Sequence, residues 1–123
     1  MALSELFLNN FETSDNALDQ RLKPHYYNND YHTTQHLITS CLNQVGFKMI
    51  NVDNYYHEML FEYKRIRVIV ILNEMSLYDI RVDMKINAKY VLPLKRPIKI
   101  IAKLYEILDR KLTLKYLGGE RNE

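Results

Sequence analysis

From Phe47 onward the hydrophobic period of the chain is two, and the segments that carry it are separated by turns too short for anything but hairpins. The clearest segment runs from Tyr78 to Ile86. There Tyr78, Ile80, Val82, Met84 and Ile86 alternate with Asp79, Arg81, Asp83 and Lys85, as a strand with one buried and one wet face requires. Upstream, Phe47 to Val52 reads as one strand and Tyr55 to Tyr63 as a second, with Tyr55, His57, Met59, Phe61 and Tyr63 on one face and Glu58 and Glu62 on the other. Lys64 and Arg65 lead into Ile66 to Leu72, whose apolar side chains on both faces mark a central strand. Asn51 to Asn54 and Asn73 to Ser76 supply turn residues. A parallel crossover needs about a dozen residues, so these four strands are expected to pair as an antiparallel meander.

Two helices flank this block. Thr33 or Thr34 opens the first, in which Leu37, Ile38, Cys41, Leu42 and Val45 recur on one face and Gly46 ends the run. The second starts near Arg96-Pro97 and is expected to reach about Lys115, with Ile98, Ile101, Leu104, Tyr105, Leu108 and Leu112 facing the core. The fold expected is therefore α+β: an antiparallel four-stranded meander with an N-terminal-side helix and a long C-terminal helix packed on one face. Residues 1–30 read as a helical or irregular arm, in which Leu3, Leu6, Phe7, Leu8 and Phe11 suit a short amphipathic helix and Pro24 stops a turn from Asp15 to Leu22. Residues 31–117 form a single domain, and Gly118-Gly119 opens a flexible tail over 118–123.

The length of 123 residues suits one core. A single cysteine, Cys41, excludes an internal disulfide, and it falls within the apolar stripe of its helix, the place of a small buried hydrophobe. The opening Met-Ala-Leu-Ser-Glu-Leu has no basic and apolar leader pattern, and the run Ile66 to Leu72 is too short to span a membrane. A cytoplasmic protein without membrane partners is the expectation. Net charge is only +2, but it is unevenly spread: residues 1–30 hold five acids against two bases, and residues 95–123 hold eight bases against four acids.

Catalytic patterns are weak. His32 and His36 are four apart on the first helix and are the best metal candidates, yet the glutamate of a His-Glu-x-x-His site is missing. Asp79 and Asp83 share a strand face about 13 Å apart with Arg81 between them, which suits a solvent-facing charge ladder better than a two-metal site. Three glycines cannot build a phosphate cradle, and no serine sits in a nucleophile-elbow pattern, so no cofactor and no enzymatic activity are expected.

The ten tyrosines point instead to binding. Tyr26, Tyr27 and Tyr31, with Tyr55 and Tyr56, are the residues expected to grip a partner protein, because aromatic rings supply interface area at small entropic cost. An uncovered sheet edge would favour self-association. The alternative is a phosphate backbone or acidic partner held by Lys64, Arg65, Arg96, Lys99, Lys103 and Arg110, with tyrosines stacking on bases; it requires these cations to form one uncompensated patch.

Overall fold

The computed structural model describes residues 10–88 and 96–118. In chain order these form β1 (Asn10–Glu12), a 3-10 turn (Gln20–Leu22), β2 (His25–Tyr27), α1 (Tyr31–Gln44), β3 (Lys48–Asp53), β4 (Glu58–Tyr63), β5 (Ile66–Ser76), β6 (Asp79–Ala88), α2 (Arg96–Lys111) and β7 (Leu114–Leu117). The strands pair antiparallel in the order β3-β4-β5-β6-β2-β7, and β1 also pairs with β6. The stretch β3 to β6 is the expected meander. The expectation of four strands is nonetheless wrong, because the sheet is six strands wide.

The added strands all lie beyond β6. Its outer edge is shared end to end: β1 lies opposite Lys85–Asn87 and β2 opposite Ile80–Val82, while β7 completes the row against β2. An edge of unpaired N–H and C=O groups beside a core is satisfied most directly by further chain. Residues 25–27, read from the sequence as part of the helical or irregular arm, therefore form an interior strand. Between β1 and β2 the chain bulges out over residues 13–24. Thr13 donates its backbone N–H to the Met84 carbonyl (2.9 Å) and its hydroxyl to Asp83 (2.6 Å), pinning the point of departure.

The helix boundaries also differ from those expected. Helix α1 starts at Tyr31 because Asp30 caps it, accepting from the Thr33 N–H at 3.0 Å. Gly46, at φ +103°, lets the chain turn back after the helix. Helix α2 stops at Lys111 rather than near Lys115. The Thr113 N–H then bonds Asn29 Oδ1 (2.8 Å) and the Thr113 carbonyl accepts from the Asn28 N–H (2.7 Å), which steers Leu114–Leu117 onto the sheet. Gly118, expected in the tail, donates to the Pro24 carbonyl at 2.7 Å. Of the amphipathic helix expected at the amino terminus, Leu3, Leu6, Phe7 and Leu8 lie outside the described residues, and Phe11 falls in β1; residues 119–123 of the tail are also outside them.

One face of the sheet carries the core. The register aligns Phe61 with Val68 and Ile86, Met59 with Val70 and Met84, and Leu72 with Val82, and all of these side chains are buried. Ile38, Cys41 and Leu42 of α1 and Ile101, Leu104, Tyr105 and Leu108 of α2 belong to the same buried cluster. Period two in the strands and period 3.6 in the helices thus meet on one surface. The opposite face is less wet than expected. Asp79 is buried and accepts from the Tyr116 hydroxyl (3.1 Å), and Arg81 pairs with Asp83 (2.6 Å) and with Asp15 of the 13–24 loop (2.8 Å). Burial works against the Arg81 charge, yet its bond to Asp83 and the neighbouring Asp15 hold its pKa above the ordinary value.

Candidate interaction surface

The five tyrosines expected to form a grip divide into two groups. Tyr26 and Tyr27 are neighbours on β2 and so point to opposite faces of the sheet. Tyr26 is buried against Tyr116, with ring centroids 4.6 Å apart, and its hydroxyl lies 3.4 Å from Arg81. Tyr27 is fully buried on the helix side, where its hydroxyl donates to Asp109 at 2.7 Å.

Tyr31 meets, through His57, the turn that carries Tyr55 and Tyr56. The β3–β4 turn is built by Asp53, whose Oδ1 accepts from the Tyr55 N–H (2.9 Å) and the Tyr56 N–H (3.1 Å). His57 closes it at φ +59°, a left-handed conformation uncommon outside glycine, and its carbonyl accepts from the Leu72 N–H of β5 at 2.9 Å. This backbone holds the two rings outward. Tyr55 is 82% exposed and Tyr56 64%, and they meet edge to face with centroids 4.8 Å apart. The Tyr31 hydroxyl, from the first turn of α1, lies 3.1 Å from His57 Nδ1 and joins the helix start to the turn. Partial burial, and then the charge of Glu74, raises the Tyr31 pKa, so this phenol stays protonated at neutral pH.

A second apolar tip projects from the same end of the sheet. Strand β5 runs on to Ser76, so the β5–β6 turn consists of Leu77 and Tyr78 instead of Asn73 to Ser76. Leu77 is 67% exposed and Tyr78 55%, with Met75 beside them also exposed. The register sets this tip beyond the β3–β4 turn, since Glu58 pairs with Ile71 while β5 continues five residues further. The period-two pattern puts Tyr78 on the buried face, and the structure does not.

The cations are dispersed. Lys64 and Arg65 form the β4–β5 turn at the other end of the sheet, where with Glu62, Arg67 and Asn87 they line a polar depression of about 350 Å³. Lys99, Lys103 and Arg110 are exposed on α2, but Glu106 pairs with both Lys103 (3.7 Å) and Arg110, so that stripe is partly compensated. Arg96 opens α2, and its side chain lies outside the described residues. His32 and His36 are exposed on α1, and among the described residues no group of three histidine, cysteine or acidic side chains is placed to hold a metal ion.

One polar cluster escapes sequence reasoning. His25 Nδ1 lies 2.8 Å from Asp109 Oδ1, the oxygen that also receives the Tyr27 hydroxyl, and the His25 ring stacks on Tyr105 with centroids 3.7 Å apart and planes within 4°. The Tyr105 hydroxyl donates to the Val82 carbonyl at 2.6 Å. Burial, and then Asp109, pushes the Tyr27 pKa far up. His25 and Tyr27 stand 84 and 82 residues from Asp109 in the chain, and no spacing rule links them.

Comparison with known proteins finds no matching family model, no similar curated protein and no similar solved structure. Among the described residues no helix is long and apolar enough to cross a membrane.

Proposed function

We propose that the chain is a non-catalytic interaction domain of the cytoplasm that binds a partner protein through its tyrosine-rich end and acts by occupancy, masking or bridging that partner. The observation that carries this reading is the presentation of Tyr55 and Tyr56: two large rings held 82% and 64% exposed by a turn whose backbone is already bonded. Such rings bring interface area with little further ordering cost, the property that makes tyrosine frequent where binding energy concentrates. Leu77 and Tyr78 extend the apolar offer at the same end.

Photo-crosslinking in the native cell tests it. A crosslinking residue at position 55 or 77 is expected to trap one discrete protein, or a second copy of this chain, that the same residue at Leu18, an exposed position outside both turns, does not trap. Equal products from all three positions, or none from 55 and 77, would refute the assignment. The phosphate-backbone reading is second because the cations are dispersed between the β4–β5 turn and α2, where Glu106 partly compensates them. It would take first place if single-stranded or double-stranded nucleic acid bound with a steep salt dependence that neutralising Lys99 and Lys103 reduced.

A further inference from the structure

The strand order leaves β3 at one border of the sheet, paired only with β4 among the described residues. The segments outside the description attach at the ends of β1, β6, α2 and β7, and β4 and β5 stand between β3 and each of those strands. The helix next to this border is unusual for what it lacks. Charged residues make up 26% of the chain, yet there is none from Tyr31 to Phe47, although His32, Thr33, His36, Asn43 and Gln44 of α1 are exposed. A solvated helix face ordinarily carries charge, and a surface covered by another protein is depleted of it. Two adjoining depressions extend the neutral surface. One of about 420 Å³ runs along His36, Thr39 and Asn43, and one of about 480 Å³ lies between α1 and β3, lined by His32, Gln35, His36, Met49 and Val52.

Strand β3 bears two features that deter pairing with an arbitrary strand: Lys48 at its start and a bulge at Ile50, which has no partner in β4. An antiparallel second copy of the same strand, centred between Ile50 and Asn51, accommodates both. Lys48 then stands opposite Asp53 of the second copy, Met49 stands opposite Val52, and the two bulges meet at the axis. The faces agree as well. Met49 and Val52 pair with the buried Phe61 and Met59 and so belong to the core side, whereas Lys48 and Asp53 pair with Glu62 and Glu58 on the other side. Asp53 Oδ1 accepts from the Tyr55 and Tyr56 N–H groups, and a carboxylate has a second oxygen for a lysine.

We infer that the chain forms a two-fold dimer by pairing β3 with β3 of a second copy, which joins the two sheets edge to edge and sets the uncharged faces of α1 side by side. Such a contact is isologous, so each interaction occurs twice. The unpaired backbone groups of the strand edge supply its hydrogen bonds, and the neutral helix face supplies area that a narrow edge lacks. The exposed Leu77 and Tyr78 take no part in it.

The test uses the full chain. Sedimentation equilibrium at about 100 µM is expected to give twice the 14.8 kDa of one chain. Lys48→Glu sets like charges opposite each other at two places, and His36→Glu puts charge into both neutral faces; each should raise the dissociation constant at least about tenfold, with circular dichroism verifying that the variants fold. Disulfide trapping reads the register. Opposite positions of an antiparallel pair lie about 4.5–5.5 Å apart at Cα, within reach of a disulfide, whereas positions displaced by three residues lie about 10 Å apart. A mixture of Met49→Cys and Val52→Cys chains should therefore form a covalent dimer on oxidation that neither forms alone, Cys41 being buried. A monomer at that concentration, a dimer indifferent to either charge substitution, or a mixture that does not cross-link would overturn the inference. So would loss of the dimer on Leu77→Ser, which would place the contact at the tyrosine-rich end instead.

Discussion

The buried bond between Tyr27 and Asp109 yields the sharpest prediction, because Tyr27→Phe removes one oxygen and leaves the ring in place. That oxygen donates at 2.7 Å to a carboxylate, from a side chain with no solvent exposure. Hydrogen bonds to charged groups contribute about 1.5–3 kcal/mol. Two observations bring the expected cost to the lower part of that range: the Asp109 side chain is 29% exposed, so water can reach it, and His25 remains 2.8 Å from the same oxygen. A loss of about 1.5–2 kcal/mol is expected, equivalent to roughly 6–8 °C in melting temperature for a domain of this size. Urea denaturation followed by far-ultraviolet circular dichroism measures the first figure and a thermal scan the second. Tyr55→Phe, whose hydroxyl sits on a ring that is 82% exposed, serves as the control and should change stability by less than about 0.5 kcal/mol. Combining Tyr27→Phe with Asp109→Asn should cost less than the sum of the single changes, with a coupling of about 1 kcal/mol. If Tyr27→Phe is indistinguishable from Tyr55→Phe, or if the two changes simply add, the bond does not tie β2 to α2 energetically and the reasoning fails.

Two further perturbations probe the joints of the fold. The Thr33 hydroxyl and then its N–H hold the Asp30 carboxylate below its ordinary pKa of 3.8, so the stability it lends α1 is complete above that value and is lost as pH falls through the lowered one. Asp30→Ala should therefore melt below the parent at pH 7, with the gap closing as the pH drops below about 4; a gap independent of pH would show that the charge plays no part. Gly118→Ala would bring a methyl carbon 2.6 Å from the Pro24 ring and against Asp15, in a place where backbone bonds allow little retreat. It should cost about 1–3 kcal/mol by denaturant titration, whereas a neutral result would mean that the 13–24 loop yields freely.

How much of this is legible in the sequence differs from element to element. Strands β3 to β6 can be read because β4 and β6 carry a period-two pattern, β5 carries a near-continuous apolar run, and short polar turn segments separate the strands. Both helices can be read from their apolar stripes, although the pattern runs α2 too long: Leu114 and Lys115 continue a helical pattern acceptably, and only Asn28, Asn29 and the open edge of β2 draw them into a strand. Strand β2 is hidden because three residues, His25, Tyr26 and Tyr27, are too few to show a period, and all three are buried where a half-wet strand would alternate. The same brevity makes Tyr26 and Tyr27 look like surface tyrosines, equivalent to Tyr55 and Tyr56.

The candidate site divides along the same line. Asp53 and Asn54 mark a turn in consecutive residues, but its extent is not legible: the pattern starts the next strand at Tyr55, whereas Asp53 holds the Tyr55 and Tyr56 N–H groups in the turn and the strand begins only at Glu58. That Tyr31 meets His57, that Leu77 and Tyr78 project from the same end, and that β3 is left at the border of the sheet depends on which strands pair and in what register. By itself the sequence determined the local conformations, since turn chemistry and hydrophobic period act over a few neighbouring residues. Only the tertiary structure decided how wide the sheet is, which tyrosines are buried and which charges are paired, because those outcomes come from satisfying the free edge of β6 with segments distant in the chain.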